Sequence, residues 1–545
     1  MEFVLALHSH LPYVLNHGRW PHGSDWLCEA ALDTYLPLLE RLEELSAEGT
    51  AAPLTIGFTP VLANQLASPA FAREMEEFFG QRLAACDEAA ASFGPLVEFW
   101  RERFSRLRAL FRSIDANLVS AFRRLQERGR LEIIGSAATH GYLPLLARDE
   151  SIRLQLAVGQ HEHRRLFGVA PQGCWLPECA YRPRGKRRRG IEEHLADAGF
   201  RYFFTDAHLA RAGSPLGAYG DIPLGAERFD AERHDDPSKP GRGTKAARSP
   251  YHAYRVSQAT RGSARGSVAA LVRDPRSSMQ IWSRHQGYPG DESYLEFHKI
   301  RWPGGLKLWR VSGPNVDLGA KRPYEPRTAL ERAAGHASHF VYLLESVTQE
   351  QRADGDGVIV APFDTELFGH WWFEGADFLA ATYRALRGKS VRAVTASQHL
   401  EAHAPRTALQ LAEGSWGANG DHSMWLNDRT AWTWKRLAPL EEAFWDAAPT
   451  ALTSAALRPV LAQAARELLL AQASDWQFII STGAVVDYAE RRFTLHCDDA
   501  ERLIKLMGGV GGGELEAGRR LADELARRDD LFPDVLAQVA EALNG

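Results

Sequence analysis

Residues 358–372 read Val-Ile-Val-Ala-Pro-Phe-Asp-Thr-Glu-Leu-Phe-Gly-His-Trp-Trp, an apolar run that ends abruptly in acids and aromatic side chains. A buried parallel strand reads as a continuous apolar run, and the loop after its carboxyl end carries the polar residues. The stretch therefore predicts a strand that delivers the carboxylate of Asp364 to a cleft.

The same pattern recurs along the chain. Further apolar runs that end in polar residues occupy residues 3–7, 54–58, 131–134, 201–204 and 306–311, and another precedes Glu178. With helical patterns between them, these runs predict about seven strands and an α/β fold of the incomplete TIM-like barrel type, in which the active face lies at the carboxyl ends of the strands. An open, doubly wound sheet would show a similar alternation, so both architectures remain possible on this ground alone.

Changes in composition and in helix and strand patterns divide the chain into regions. We expect a catalytic barrel over residues 1–404, interrupted by a helical excursion near 70–125 and by an inserted lid or subdomain near 180–270. Gly, Pro, Ser, Arg and Asp dominate the central part of this insertion, and a lid is expected near 230–266. Residues 405–545 read as amphipathic helices and predict a helical domain that contributes to the substrate cleft.

The composition limits the partner. A formal net charge of −5 gives no overall attraction to nucleic acid or to an anionic membrane, so neither partner is expected. The 15 Trp and 14 Tyr residues favour a neutral partner, because flat rings stack on the apolar faces of sugar units. Most of these rings are nevertheless expected to pack in the core.

The five cysteines are an odd and scattered set, which is atypical of a disulfide framework. A reducing cytoplasm is therefore the expected location. The amino terminus has no basic segment and no apolar stretch long enough for a signal peptide, and no stretch approaches the length of a membrane span. Cys174 and Cys179 have the wrong spacing for a zinc knuckle. No metal and no cofactor are expected.

His8 and His10 follow the first apolar run, with one residue between them. Side chains at i and i+2 of a strand point the same way, so the two rings can bind a metal ion or hydrogen-bond to substrate hydroxyls. The second reading is favoured. A polysaccharide deacetylase would carry an Asp-Asp pair on this first strand, and no Asp is present there.

Glu178 lies in residues 175–181, Trp-Leu-Pro-Glu-Cys-Ala-Tyr, which is too apolar for an ordinary surface acid. A single Glu in a core loop is usually structural, but the second acid, Asp364, favours catalysis. Two opposed carboxyl groups are the machinery of glycosyl transfer, with retention or inversion set by their separation. Trp416 and Trp425 lie on a glycine-containing stretch and are candidate platforms for sugar rings.

Five segments together resemble the ordered motifs of glycoside hydrolase family 57. They are residues 8–12, 135–141, 175–181, 364–372 and 415–417. The whole chain, including its helical carboxyl-terminal part, resembles the members of this family that branch 1,4-α-glucans.

The resemblance implies a (β/α)7 barrel and retaining chemistry, with Glu178 as nucleophile and Asp364 as acid/base. It also implies substrate contacts within and beyond the motifs. The expected substrate-binding residues are His8, His10, His140, Arg273, Trp282, Gly290, His370, Trp371, Trp416, Trp425 and Asp475. The lid is expected to supply a tyrosine, for which Tyr251 and Tyr254 are the candidates.

The expected reaction is a double displacement that cleaves an α-1,4-glucan and forms an α-1,6 branch, with α-glucan as both donor and acceptor. An α-amylase or a 4-α-glucanotransferase of the same family would share both carboxylates and is the alternative. A more remote alternative is a glucan-binding protein without turnover.

Overall fold

The structure is a computed structural model that describes residues 1–216, 248–256, 267–283, 287–351, 355–508 and 512–545. The chain forms two compact units. Unit 1 consists of Met1–Gly135, Glu162–Pro171 and Arg276–Ala404, and unit 2 of Ser136–His161, Gln172–Pro275 and Pro405–Gly545. Unit 2 thus combines the predicted helical domain with two segments of the predicted barrel. The domain division predicted from the sequence stays a prediction.

The strands, in chain order, are β1 (Glu2–Ser9), β2 (Leu54–Phe58), β3 (Leu131–Ser136), β4 (Gly173–Trp175), β5 (Tyr202–Thr205), β6 (Ala253–Val256), β7 (Val268–Val272), β8 (Ile300–Arg301), β9 (Leu306–Lys307), β10 (Val358–Asp364), β11 (Arg392–Ala393) and β12 (Ala408–Leu409).

The helices before residue 300 are α1 (Ser24–Ala30), α2 (Leu36–Ala47), α3 (Pro60–Leu66), α4 (Pro69–Ser113), α5 (Leu118–Glu127), α6 (Asp149–Phe167), α7 (Ile191–Asp197) and α8 (Pro275–Trp282). The later helices are α9 (Pro326–Gln351), α10 (Gly375–Ala385), α11 (Ala396–Ala402), α12 (Ala431–Thr453), α13 (Arg458–Ala471), α14 (Asp475–Thr482), α15 (Val486–Met507), α16 (Gly512–Arg528) and α17 (Val535–Asn544). A π-helical turn, Ala31–Tyr35, joins α1 to α2.

Unit 1 contains a parallel sheet in which β1 is central. β10 pairs with one edge of β1 and β2 with the other, and β3 pairs with β2. All eight residues of β1 are buried, as expected for a strand that is covered on both faces. Polar side chains of this sheet therefore gather where its strands end.

The long helix α4 consists of two helical limbs. They meet at Gly94, which has φ 40° and ψ −114°, and Pro95 follows. A positive φ is accessible to glycine at little cost, and proline cannot continue the hydrogen bonding of the preceding turn. This helix and α5 occupy the region where the sequence predicts a helical excursion.

In unit 2, β4, β5 and β7 pair as parallel strands. β6 runs antiparallel to β7, and the short β12 pairs with β6. The carboxyl-terminal part of the unit consists of α12 to α17, with α13 as its most buried helix. The strand Ala253–Val256 and the start of the strand Val268–Val272 thus lie inside the segment for which the sequence predicts an insertion.

One strand prediction is wrong. Within residues 306–311 only Leu306–Lys307 forms a strand, and it pairs antiparallel with Ile300–Arg301 in a two-stranded hairpin. The parallel strand that the sequence reading missed is β7, five residues whose Val-Ala-Ala-Leu-Val sequence is short and rich in alanine. Alanine has little strand preference, so its pattern is weak.

Among the described residues, none of the helices combines the length and the hydropathy that a membrane span requires.

A buried acid in unit 1 makes the stability of the fold depend on pH. Glu374 is fully buried, and one of its oxygens accepts hydrogen bonds from the Leu295 amide at 3.1 Å and the Tyr324 hydroxyl at 2.6 Å. Its other oxygen has no hydrogen-bond partner among the described residues. Burial raises the pKa of Glu374 to about 7, against the smaller opposing effect of the Tyr324 hydrogen bond.

We predict that Glu374→Gln reduces the loss of stability at rising pH. The folded state holds this proton up to about pH 7, whereas the unfolded state releases it near the ordinary value of 4.5, so ionisation destabilises the fold between these values. The free energy of unfolding of the wild type relative to the variant should fall by about 1–3 kcal/mol between pH 4.5 and pH 8. Urea unfolding at both pH values measures this difference.

The matched control is Glu331→Gln, which removes an exposed carboxyl group on α9. It should leave the pH dependence as in the wild type. A Glu374→Gln variant with the pH dependence of the wild type would contradict the assignment.

Candidate active site

Asp364 ends β10, and the register of the unit 1 sheet places it beside His8 at the end of β1. The rings of His8 and His10 lie parallel, 6.1 Å between centroids and 17° between planes, as two side chains at i and i+2 of a strand should. Burial, followed by the charge of His10, holds the pKa of His8 well below its usual range. His8 is therefore a neutral hydrogen-bonding group beside the carboxylate.

The residues around this pair are fixed by hydrogen bonds across the sheet. The His10 ring nitrogen Nδ1 hydrogen-bonds to Thr59 Oγ1 at 2.9 Å, and Ser9 Oγ donates to Thr365 Oγ1 at 2.8 Å. The His10 amide donates to Glu366 Oε1 at 3.1 Å. The ends of β1, β2 and β10 are thereby held together around Asp364.

His370 and Trp371 follow Asp364 within one loop of unit 1. The His370 amide donates to Thr34 Oγ1 at 3.0 Å, and its ring lies 6.3 Å from that of Trp371. Burial, together with the nearby charge of Lys307, holds the pKa of His370 below its ordinary value. Both side chains are half-buried, which leaves them accessible to a ligand.

Two further predicted residues of unit 1 lie before and after residues 284–286, which are outside the described part of the chain. Trp282 is the last residue of α8, and Gly290 ends the turn Tyr288–Gly290. Trp282 is half-buried and Gly290 is exposed.

Glu178 lies in unit 2, in the turn Pro177–Cys179 that follows β4. Its backbone adopts the left-handed conformation, with φ 60° and ψ 23°, and Cys179 and His140 also have positive φ values of 47° and 58°. Such conformations cost about 1–3 kcal/mol each for residues other than glycine and persist where the surroundings enforce them. The turn aims the carboxyl group of Glu178 at its partners at the expense of backbone strain.

Both oxygens of the Glu178 carboxylate have hydrogen-bond donors. Trp416 Nε1 donates to Oε2 at 2.9 Å, and Ser474 Oγ donates to Oε1 at 3.1 Å. His140 Nδ1 hydrogen-bonds to Ser474 Oγ at 2.9 Å and lies 3.6 Å from Oε1. Since the serine donates to the carboxylate, the histidine must carry its proton on Nδ1.

The predicted residue Arg273 forms a buried ion pair in unit 2. Its guanidinium donates to Asp206 Oδ2 at 3.0 Å and lies 5.6 Å from the centre of the Trp416 ring. Burial raises the pKa of Asp206, but the Arg273 charge and a hydrogen bond from His208 offset this effect and leave the pKa below its usual value. His208 also hydrogen-bonds to the Gly420 carbonyl at 2.8 Å, which ties the ion pair to the loop that follows Trp416.

Trp425 is almost fully buried and stacks on Tyr142, with 4.6 Å between ring centroids. The Tyr142 hydroxyl hydrogen-bonds to His422 Nδ1 at 2.8 Å. Trp425 therefore supports the loop that carries Trp416 from beneath, while Trp416 itself is only partly buried.

Asp475 is the first residue of α14 and directly follows Ser474.

The two lid candidates belong to unit 2 and are buried. Tyr251 donates to Asp274 at 3.1 Å and Tyr254 to the Ser249 carbonyl at 2.6 Å. Most of the predicted lid, at 230–247 and 257–266, lies outside the described residues.

Three residues that the structure places in these sites are absent from the predicted set of site residues. They are Ser474, which bonds Glu178; Glu366, which bonds the His10 amide; and Asp206, which pairs with Arg273. Each stood next to a recognised feature: Ser474 precedes Asp475, Glu366 lies two positions after Asp364, and Asp206 ends an apolar run. The position after an apolar run was the signal available for Asp206.

Each unit thus contains parallel strands with a carboxylate at or just after the end of one of them. Asp364 lies beside His8 in unit 1, and Glu178 lies beside His140 and Trp416 in unit 2. This combination is typical of enzymes that cleave or transfer glycosidic bonds, which need two carboxyl groups and aromatic surfaces for the sugar rings.

Comparison with known protein families gives the same class of enzyme. Residues 4–412 match the model of glycosyl hydrolase family 57, and residues 437–539 match the carboxyl-terminal region of 1,4-alpha-glucan branching enzymes. The chain belongs to glycosyl hydrolase family 57, as its motifs predicted.

Relatives extend over the whole chain. A 1,4-alpha-glucan branching enzyme of Thermococcus kodakarensis is 39% identical over 98% of this chain and 77% of its own length. The crystal structure of a branching enzyme of this family from that archaeon, in complex with glucose, has a TM-score of 0.88 at 38% identity and covers 99% of this chain and 96% of its own. The α-amylase AmyC of Thermotoga maritima has a TM-score of 0.79 at 30% identity, with 98% and 99% covered. The predicted fold class, a (β/α)7 barrel with an all-α carboxyl-terminal region, is confirmed by these similarities.

We predict that Ser474→Ala lowers kcat/KM, assayed with amylose, by about 10-fold to 100-fold. A hydrogen bond to a charged group contributes about 1.5–3 kcal/mol, and this one orients Glu178. Initial rates of the purified variants measure the effect.

The matched control is Ser481→Ala in helix α14, which begins directly after Ser474; the lost hydroxyl accepts a hydrogen bond from Asn427 at 2.8 Å. This control should keep the wild-type rate within about 2-fold. Equal rates for both variants would show that Ser474 does not act on Glu178.

Proposed function

We propose that this protein is a 1,4-α-glucan branching enzyme, which cleaves an α-1,4-linked chain and rejoins the released segment through an α-1,6 bond. One observation carries the proposal. Ser474, which hydrogen-bonds Glu178, lies inside the region 437–539 that matches the carboxyl-terminal part of branching enzymes. The segment that matches branching enzymes therefore contacts the candidate nucleophile itself.

Glu178 is assigned the role of nucleophile. Donors on both of its oxygens, Trp416 and Ser474, stabilise the ionised form and fix the carboxylate in one orientation. An ionised and oriented carboxylate can attack the anomeric carbon of a bound glucan. The Glu178 carboxylate can then also be displaced from the anomeric carbon when the covalent bond is broken.

Asp364 is assigned the role of acid and base. In the first step its proton passes to the glycosidic oxygen while Glu178 forms a bond to the anomeric carbon, and the chain that carries the reducing end leaves. In the second step Asp364 removes the proton from a 6-hydroxyl group of another glucan. That oxygen then attacks the anomeric carbon and displaces Glu178, so the anomeric configuration is retained overall.

The other predicted residues are assigned to the glucan. His8, His10, His140 and His370 are proposed to hydrogen-bond its hydroxyls, since burial keeps at least His8 and His370 neutral. Aromatic rings are proposed to stack on its sugar faces, as they do in many carbohydrate sites. Arg273, Trp282, Gly290, Trp371, Trp416, Trp425 and Asp475 complete the proposed substrate-binding set, and Trp425 acts mainly through the Trp416 loop.

The choice between water and a sugar hydroxyl decides the product. A lid near 230–266, with Tyr251 or Tyr254 at its described edge, is proposed to exclude water from the glycosyl-enzyme. Without that exclusion the same carboxylates would give an α-amylase, and AmyC, 30% identical, is named as one. Isoamylase treatment of the product distinguishes this rival from a branching enzyme.

The proposed partner is an α-glucan that acts as donor and acceptor, and the proposed location is the cytoplasm. All five cysteines are buried and none is in a disulfide, which is compatible with a reducing compartment.

We predict that the wild type converts amylose into a product from which isoamylase releases short chains. Glu178→Gln should lower this activity by about 1,000-fold or more, because an amide cannot form the glycosyl-enzyme. Asp364→Asn should lower it to a similar extent, because the glycosidic oxygen is then not protonated. Chromatography of the debranched chains measures the product.

Glu193→Gln is the control. Among the described residues, the ion pairs of the Glu193 carboxyl group on α7 are those with Arg184 and Arg189 at the surface. It should branch like the wild type. New reducing ends without isoamylase-sensitive chains would identify an amylase, and amylose binding without any turnover would identify a glucan-binding protein.

A further inference from the structure

The helix formed by α1 and α2 is continuous but contains a π-helical turn at Ala31–Tyr35. The residues on either side, Ala30 and Leu36, have regular helical dihedral angles, with φ −60° and ψ −41° in the first and φ −67° and ψ −46° in the second. The turn is thus a local widening of an otherwise regular helix. Such single π turns are rare and are found frequently at functional sites.

Three consecutive residues of this turn contact the loop that follows Asp364. The Tyr35 hydroxyl donates a short hydrogen bond to Glu366 Oε1. Thr34 Oγ1 accepts the His370 amide at 3.0 Å. The Asp33 carbonyl lies against Gly369, where a Cβ atom would be 2.1 Å from the oxygen.

The three residues contact the loop through different groups. Asp33 contributes its backbone carbonyl, whereas Thr34 and Tyr35 contribute side-chain oxygens. Backbone and side chains of the turn therefore act together on residues 366–370.

The π turn is anchored on its other side by buried charges. Lys307 Nζ lies 2.7 Å from Asp33 Oδ2 and 3.0 Å from Glu29 Oε1. Burial lowers the pKa of Lys307, but the two carboxylates outweigh it and raise the pKa to about 12, so the ammonium stays charged. The turn is therefore braced between an ion triplet and the Asp364 loop.

Placing the Glu366 carboxyl group in the core costs desolvation free energy. The Glu366 carboxyl group is buried, and burial raises its pKa to about 7. A pair of apolar side chains of similar volume would avoid this desolvation cost. The same oxygen that accepts from Tyr35 also accepts the His10 amide at 3.1 Å, so it connects the π turn to both β1 and β10.

We propose that the π-helical turn Ala31–Tyr35 is a positioning element for the acid/base, with Tyr35 and Thr34 as positioning residues that act through Glu366 and His370. This inference rests on the proposed function, because it takes Asp364 as the acid/base. The turn sets the path of residues 365–371, and with it the placement of Asp364, His370 and the His10 backbone. None of the atoms of Tyr35 or Thr34 has to touch the glucan.

Tyr35→Phe and Thr34→Val test the proposal, since each removes one hydrogen-bonding oxygen and changes the side-chain volume little. We expect kcat on amylose to fall by about 10-fold to 50-fold in each, with KM within about 3-fold of the wild type. Rates are measured at a temperature at which circular dichroism shows every variant folded. If Tyr35→Phe does not fold, the smaller Thr34→Val change carries the test.

Tyr383→Phe is the matched control. It also removes a buried tyrosine hydroxyl from unit 1, one that donates to the Pro53 carbonyl at 2.9 Å, away from the Asp364 loop. It should lower the melting temperature about as much as Tyr35→Phe and leave kcat within about 2-fold.

Glu366→Gln and Glu366→Ala separate positioning from mere stability. The amide oxygen of glutamine can still accept from Tyr35 and from the His10 amide, so Glu366→Gln should keep kcat within about 5-fold, whereas Glu366→Ala should lower it like Tyr35→Phe or more. Wild-type kcat in both Tyr35→Phe and Thr34→Val would overturn the inference. A wild type without any activity on amylose would instead refute the proposed function, so the two failures are distinguishable.

Discussion

The parallel pairing of β1 with β10 is the constraint on which the unit 1 site depends. Residues from Glu2 to His8 pair in register with residues from Val358 to Asp364, and nearly all of them are buried. Apolar burial along both strands favours this register, because buried backbone N–H and C=O groups inside the sheet need each other as hydrogen-bond partners. The histidine and the carboxylate can therefore meet only where the strands end, and the segments that follow them must supply all further hydrogen bonds.

Two carboxyl groups, the half-buried Glu178 and the buried Glu366, then link distant segments by hydrogen bonds. Glu178 takes its donors from residues 238 and 296 positions away, and the partner of Glu366 is 331 positions away. A buried carboxylate without donors would cost several kcal/mol, so each of these contacts links distant parts of its unit to a functional carboxyl group. These hydrogen bonds restrict the conformations that the loops can adopt.

Irregular backbone occurs at the same places. Glu178, Cys179 and His140 adopt left-handed conformations in unit 2, and the π-helical turn interrupts the first helix of unit 1. Local sequence preference does not favour either feature, and both are held by tertiary contacts. Departures from regular geometry that coincide with the candidate catalytic residues are expected where function has determined the structure.

The sequence by itself determined the strand ends that carry Asp364, Glu178 and the two histidines, together with the family and the fold class. Continuous apolar runs encode burial directly, so these features are readable without coordinates. The alanine-rich strand β7 was missed and the run at 306–311 was misread, because short apolar segments do not reveal whether a parallel partner exists. Only the tertiary structure decided that Ser474 orients Glu178 and that Tyr35 holds Glu366. Such contacts join residues hundreds of positions apart, and their geometry follows from packing, which no local pattern records.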